Sequence, residues 1–477
     1  MQPITNLYWM MKKVSTSNLN NAVVQDNLVE SLGSAGTQTS ASEQQTVADR
    51  IPQLPRILHP AIKAIVEPYP TDRKSVMAFM SLGFLGTLGG GIRALYRNQE
   101  VHHMGFEMCL MDSQSSGKSA LTRMQNALIS ELIKEDNEVR KKYDEYSDEC
   151  NAASADSPKP KDPHLGTRIM MGDTTKSQFF QNLKNLNKKR AIIVCPEIDS
   201  LKVPNNWSRD GGANERLMFD TEIGGQDTKS TAGTSARVPI AVNLVTSGTP
   251  LAVNNHYKNA EDGLVTRVGF CSFPPDMDEE AEEKARTQEN LKSLVEIQQK
   301  LLAVQEKDDI LKIPQLKHQQ LDWCKQKKVV ADASGNQSID TFRKRAAVIG
   351  FRAGCILYVL DGFKVTKKML DFALWVSEYT LYYQLKYFGE KMNESIEANA
   401  EILQQAVSTS CRNSWALVML PSTFTYDLVK ALYEKLGKKA SGYRTVVGRW
   451  IKNGWVKKNA DATFSKTEAG EMIGKVA

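Results

Sequence analysis

An apolar run, Phe106 to Met111, passes straight into Asp112-Ser113-Gln114-Ser115-Ser116-Gly117-Lys118-Ser119, and Ala120 to Glu131 then takes up helical spacing. A short buried strand cannot stand alone. It needs partner strands, and a helix that follows within a few residues directs the chain toward a parallel α/β sheet. The pattern G-x-x-x-x-G-K-[ST] between a strand and a helix cradles phosphate. Backbone N–H groups at the helix N-terminus face the anion, and a glycine lets the backbone approach it. The expected nucleotide contacts are Ser115, Ser116, Gly117, Lys118, Ser119 and Ala120. Lys118 would reach the terminal phosphates, and the Ser119 hydroxyl suits Mg²⁺. One position departs from the pattern: Asp112 stands where the first glycine belongs. Asp tolerates a left-handed backbone, so the loop still closes, but its carboxylate must point away from a triphosphate.

Three later segments extend this chemistry. Ala191 to Cys195 reads as a second strand, and Glu197 and Asp199 follow it. Acids at a strand end suit Mg²⁺ binding and the polarising of an attacking water, with Glu197 the better placed for the water. A third strand, Ile240 to Val245, ends in Thr246 and Ser247, hydroxyls suited to a γ-phosphate or its water; a Ser/Thr turn is the competing role. Arg267 sits in the apolar run Gly263 to Val268. It could serve a neighbouring subunit's site as an arginine finger, and a structural salt bridge is equally compatible with the spacing.

The organisation of the chain follows. With 477 residues, several domains are expected. Residues 1–50 are rich in Ser, Thr, Asn and Gln and read as a disordered arm; 51–100 read as a helical lead-in, 101–275 as the α/β core, and 276–405 as a helical domain that opens on a helix over 276–309 with an acidic start. The apolar stretch Val76 to Leu95 carries five glycines and Arg93, a poor membrane span. Seven scattered cysteines without a C-x-x-C pair, and no visible signal peptide, point to reduced thiols and a cytoplasmic location.

The net charge of +6 is unevenly placed. Residues 411–477 hold 12 Lys and Arg against 5 Asp and Glu, a net of +7, which leaves −1 for the rest. This basic end reads as helix, helix and a two-stranded wing. Arg444, Arg449 and Lys452 fall on the polar side of the second helix, where a recognition helix meets a groove, and Lys457 and Lys458 fall in the wing. DNA, single-stranded or origin-like duplex, is the expected partner; a winged helix used for protein contact is the alternative.

Five short motifs stand in order: Ser116-Gly117-Lys118-Ser119, Pro196-Glu197-Ile198-Asp199-Ser200-Leu201, Ser247-Gly248-Thr249-Pro250, Glu261-Asp262-Gly263-Leu264-Val265-Thr266-Arg267 and Ile349-Gly350-Phe351-Arg352-Ala353. Together they make residues 51 to 400 resemble a P-loop family of unknown function from mobile elements of Bacteroides-type bacteria, related to primase-helicases. The resemblance implies an α/β P-loop NTPase core of RecA or AAA+ type with flanking helical segments, and the residues of 411–477 add a C-terminal winged helix. It implies ATP and Mg²⁺ as cofactors, with Glu197, Asp199 and Arg267 carrying the family's acid and arginine positions. It implies a helicase-like ATPase in replication or mobilisation of a mobile element, a homo-oligomer such as a hexameric ring, and a partner primase. The alternative is a DNA-binding initiator or adaptor that holds nucleotide without turnover, and Asp112 is the feature that favours it.

Overall fold

The structure is a computed structural model that describes residues 50–114, 117–154, 158, 160–201, 213–226, 236–258, 263–278, 280–307, 309–435 and 442–467. The polar arm expected at the N-terminus lies outside the described residues but for Arg50. The chain divides into two compact units, one of residues 48–396 and one that takes in 397–477.

The first unit is a mixed α/β structure. In chain order its strands are β1 (Arg93–Leu95), β2 (Val101–His103), β3 (Glu107–Met111), β4 (Ile169–Met170), β5 (Ala191–Cys195), β6 (Ile223–Gln226), β7 (Ala236–Pro239), β8 (Val242–Gly248), β9 (Val268–Cys271) and β10 (Ile310–Leu311). Five of them form a sheet in the order β4-β5-β8-β3-β9, parallel throughout. Every residue of β3, β8 and β9 is buried, which is why each reads as an apolar run rather than an alternating one. β1 lies between β2 and β10 in a small mixed sheet, and β6 and β7 make a hairpin.

The strand order places the loops. β3 is followed by the Ala120–Leu128 and Ser130–Ala152 helices, and the chain next enters the sheet at its β4 edge. From β8 it passes through the Pro250–His256 helix to the opposite edge, β9. The connections leaving the adjacent strands β3 and β8 therefore run in opposite directions. In open parallel sheets a ligand crevice forms at such a switch point, outside the carboxyl ends of the strands.

The apolar stretch after Val76 is a core element. The Lys74–Leu88 helix is buried at every residue from Val76 to Leu88. It can lie against the sheet because Gly86 has no side chain: a Cβ there would sit 2.4 Å from the Phe106 ring. Asn243 of β8 secures the contact. Its amide donates to the Gly83 carbonyl at 3.0 Å and to the Thr87 hydroxyl at 3.1 Å, and its Oδ1 accepts from the Phe106 N–H at 3.0 Å. Among the described residues no helix is long and apolar enough to cross a membrane.

The helices Pro314–Ser334, Gln337–Leu360 and the first half of Lys367–Met419 join the same hydrophobic core, which runs from Ala61 to Met392. Gly350 admits the helix that follows it, since a Cβ there would lie 2.0 Å from Ser377 Oγ and 2.6 Å from the Ala373 carbonyl oxygen. The expected helix over 276–309 is shorter than its charge pattern suggested. It spans Gln288–Leu302, with the Thr287 hydroxyl accepting from the Asn290 N–H as its cap.

The second unit is small. After β11 (Thr423–Phe424) come the Tyr426–Lys435 and Tyr443–Lys452 helices and then β12 (Val456–Lys458) and β13 (Phe464–Lys466). The three strands pair antiparallel in the order β11-β13-β12. Its core holds Leu420, Phe424, Val429, Val447, Trp450, Val456 and Phe464.

Candidate functional site

The carboxyl ends of β3, β5 and β8 lie together on one edge of the sheet. Met111 is in register with Gly248, and Cys195 with Thr246. The loop after β3 carries Gly117, Lys118 and Ser119, and the turn after β5 carries Glu197 and Asp199. The loop and the acids thus share the edge, with β8 between their strands. Of the expected nucleotide contacts, Ser115 and Ser116 lie outside the described residues.

The loop's geometry resolves the role of Asp112. Its carboxylate is engaged by two backbone amides: Oδ1 accepts from Ser113 N–H at 2.7 Å and Oδ2 from Phe273 N–H at 2.8 Å. Its own N–H donates to the Gly248 carbonyl at 3.0 Å. Asp112 therefore ties the start of the loop to the ends of β8 and β9. A glycine could make the third of these bonds and neither of the others.

Gly117 has φ +84°, in the left-handed region, so this position needs the glycine that the motif supplies. The Lys118 ammonium donates to the carbonyls of Ser113 and Asp112, the second at 3.4 Å, and so folds back over the loop. Ala120 is buried at the start of its helix, and its N–H donates to the Gly117 carbonyl at 3.0 Å. The exposed Ser119 hydroxyl accepts from Arg123 Nη1 at 3.2 Å, and Arg123 in turn holds Glu283 through two bonds of 2.8 and 2.6 Å.

Glu197 and Asp199 are exposed, and among the described residues neither carboxylate has a hydrogen-bond or ion-pair partner. The turn that carries them is braced from β8: Ser247 Oγ donates to the Pro196 carbonyl at 2.5 Å. Thr246 Oγ1 donates to the Met108 carbonyl at 3.3 Å. Both hydroxyls are buried, so the structure places them as braces between strands of the sheet. Among the described residues no three His, Cys, Asp or Glu side chains converge on one point.

Arg267 lies elsewhere. It precedes β9, whose first residue Val268 pairs with Glu107, the first residue of β3. That is the amino edge of the sheet, about 13 Å of strand from the loop. There Arg267 pairs with Asp220 through Nε at 3.2 Å and Nη2 at 3.0 Å, and Nη1 donates to the Gly263 carbonyl at 2.7 Å. Asp220 also receives Arg345 at 3.0 Å and lies 3.6 Å from Arg352. Arg352 explains the last of the five motifs. It is fully buried, donates to the carbonyls of Gly105 and Phe219, and stacks 4.0 Å above the Phe219 ring. Burial pulls its pKa down to about 9, with Asp220 the main opposing influence. Two carboxyls sit near this cluster. Glu215 bonds His256 at 3.0 Å, while Glu107 has no hydrogen-bond partner among the described residues, and burial pushes its pKa well up, with Glu215 adding to the rise.

In the second unit Arg444, Arg449 and Lys452 are exposed on the Tyr443–Lys452 helix, whose other face buries Val446, Val447 and Trp450. The Arg444 guanidinium lies 5.8 Å from the ring centres of Tyr426 and Tyr443. Lys457 and Lys458 are exposed on β12. The β12–β13 connection is pinned by Asn459, which donates from its side chain to the hydroxyls of Thr463 and Ser465 and from its N–H to the Thr463 carbonyl.

Reasoning from sequence missed Arg73, Arg123 and the Asp220 cluster. Arg73 bonds Asp278 205 positions away, Arg123 reaches Glu283 160 positions away and Arg267 reaches Asp220 47 positions away, and no local pattern announces such pairs. No protein-family model matches this chain, and no curated protein matches it.

Proposed function

We propose that this chain is an ATP-driven, helicase-like DNA-processing protein with a P-loop core and a C-terminal winged helix. One observation carries the reading: a Gly-Lys-Ser loop at the carboxyl end of a central parallel strand shares that edge with two exposed acids, with one strand between them. The bonding of Asp112 supports turnover over a merely nucleotide-holding adaptor. Its charge is taken up by amides, so it does not oppose a triphosphate.

In this reading the loop amides and Lys118 bind the phosphates. Ser119, Glu197 and Asp199 are hard oxygen donors suited to Mg²⁺, an ion that takes one or two carboxylates and completes its shell with phosphates and water. That ion would neutralise charge between the outer phosphates. Glu197 orients the attacking water. Arg267, on the far edge of its own sheet, acts on a neighbouring subunit, and the nucleotide state alters the packing between subunits. A homo-oligomer, such as a hexameric ring, follows from that requirement.

The second unit's order of strand, two helices and two strands, with β13 central, supports the winged-helix reading. Its exposed arginines and lysines would meet DNA phosphates. Two measurements test the whole. ATP turnover should rise when single-stranded DNA is added. Alanine at Arg444, Arg449 and Lys452 together should weaken DNA binding and flatten its dependence on salt, by about one unit of slope for each phosphate that is no longer neutralised. Turnover indifferent to DNA, with an unchanged salt slope, would reject the DNA-driven motor.

A further inference from the structure

The loop has a second cation beside it, supplied from outside the core sheet. Arg73 closes the turn Thr71–Arg73, ahead of the Lys74–Leu88 helix. Its side chain is 9% exposed. Its Nη2 donates to the Asp278 carbonyl at 3.1 Å, and its buried Nε has no hydrogen-bond partner among the described residues. Its Nη1 faces the loop: a Cβ built on Gly117 would meet Nη1 at 3.8 Å, and among the described residues beyond Gly117's chain neighbours no other atom lies within 4 Å of that point.

The counter-ion is what is missing. Arg123, on the helix that follows the loop, is half exposed and still has a bidentate carboxylate partner in Glu283. Arg73 is far more buried, and among the described residues no carboxylate lies within ion-pair distance of it. A buried charge without a partner is costly. An arginine fork aimed at a phosphate-binding loop matches phosphate oxygens, to which it can bond through two N–H groups at once. The Asp72 carboxylate, one residue away, accepts from the Asp278 N–H at 2.9 Å through Oδ2, while its buried Oδ1 has no hydrogen-bond partner among the described residues; the Asp278 bond fixes the 276–278 segment that holds Arg73 in place.

We infer that Arg73 is a phosphate ligand acting within the same subunit, and that with Lys118 it grips the polyphosphate chain of a nucleoside di- or triphosphate. The inference rests on the phosphate-loop reading of residues 112–119.

Calorimetric titration of the full chain with ATP and with ADP tests it. Arg73→Gln should weaken both by about tenfold or more, Arg73→Lys should recover part of the loss, and Lys118→Ala should serve as the reference for a disabled loop. Arg73→Gln should also lose part of the rise in unfolding temperature that ATP confers, a change that a purely structural arginine would not produce. If the unaltered chain binds neither nucleotide at millimolar concentration, the loop reading falls and this inference with it. If the unaltered chain binds, Lys118→Ala does not, and Arg73→Gln binds as the unaltered chain does, only the role of Arg73 is overturned. Should Arg73→Gln fail to fold, a crystal of the unaltered chain soaked in ATP decides. A guanidinium nitrogen of Arg73 within hydrogen-bond distance of a phosphate oxygen is expected, and a guanidinium turned away from every phosphate rejects the inference.

Discussion

Lys118→Ala should abolish ATP turnover and weaken ATP binding by about 10- to 150-fold, while the chain stays folded. The affinity loss follows from one charge-assisted bond to phosphate, worth about 1.5–3 kcal/mol. The effect on turnover should be larger, because charge moves onto the phosphate oxygens as the bond breaks; removing one well-placed donor from such a site costs about 10²–10³ in rate. The fold should tolerate the change. Lys118 is only half-buried, and the Asp112 and Ser113 carbonyls that it covers lie at the loop surface, where water can replace the ammonium. A change in unfolding free energy within about 0.5 kcal/mol is expected. Urea titration and a steady-state phosphate-release assay on the same preparation check both halves. A variant with undiminished turnover would mean that any hydrolysis occurs elsewhere, and the loop would be only a turn.

The parts of this site that were legible in the sequence share a physical property. β3, β5 and β8 are buried in the middle of a parallel sheet, so they are largely apolar on both faces, and β5 stands out as an unbroken run while Glu107 of β3 and Asn243, Thr246 and Ser247 of β8 are the polar exceptions. The Gly-Lys-Ser end of the loop is legible because φ +84° at Gly117 demands glycine. The strand order was not legible. That β8 lies between β3 and β5, and so separates the lysine from the acids, depends on pairing between residues more than 130 positions apart in the case of β3 and β8.

Local signals misled where distant partners prevailed over them. The acidic run after Asp278 looks like a helix start, yet the helix begins only at Gln288. The Asp278 N–H is taken by Asp72, Glu283 grips Arg123, and the Lys284 N–H donates to the Pro68 carbonyl at 2.8 Å. Those bonds commit the segment to a course over the lead-in and the loop, and a few tenths of a kcal/mol per residue of helix preference cannot compete with them. Asp112 shows the same limit from another side. As a departure from a glycine pattern it reads as a defect, and only the positions of the Ser113 and Phe273 amides give it a use.

Asp220→Ala should cost the first unit about 3–5 kcal/mol of stability, the largest loss expected from any single carboxylate in it. The residue ends the Ala213–Asp220 helix and faces three arginines. Its side chain is 16% exposed, so water does little to screen these pairs. Removing a single arginine leaves Asp220 with two others. Removing Asp220 leaves Arg267, Arg345 and the fully buried Arg352 to repel one another, which is the costly way to break a buried pair. Arg352 would keep its bonds to the Gly105 and Phe219 carbonyls, so its backbone anchoring survives while its charge goes uncompensated. Urea unfolding and turnover of Asp220→Ala beside Arg267→Ala therefore also test the two roles left open for that arginine. On either role Arg267→Ala should cost less stability than Asp220→Ala, since Asp220 keeps Arg345 and Arg352. If Arg267 is chiefly a structural salt bridge, its removal should reduce turnover only as far as the fold is lost; if it serves a neighbouring subunit, Arg267→Ala should stop turnover in a chain that still folds and still binds ATP. An Asp220→Ala protein as stable as the unaltered chain would show that the three guanidinium groups find other partners, and the cluster would no longer account for how helix 213–220 is held against the amino edge of the sheet.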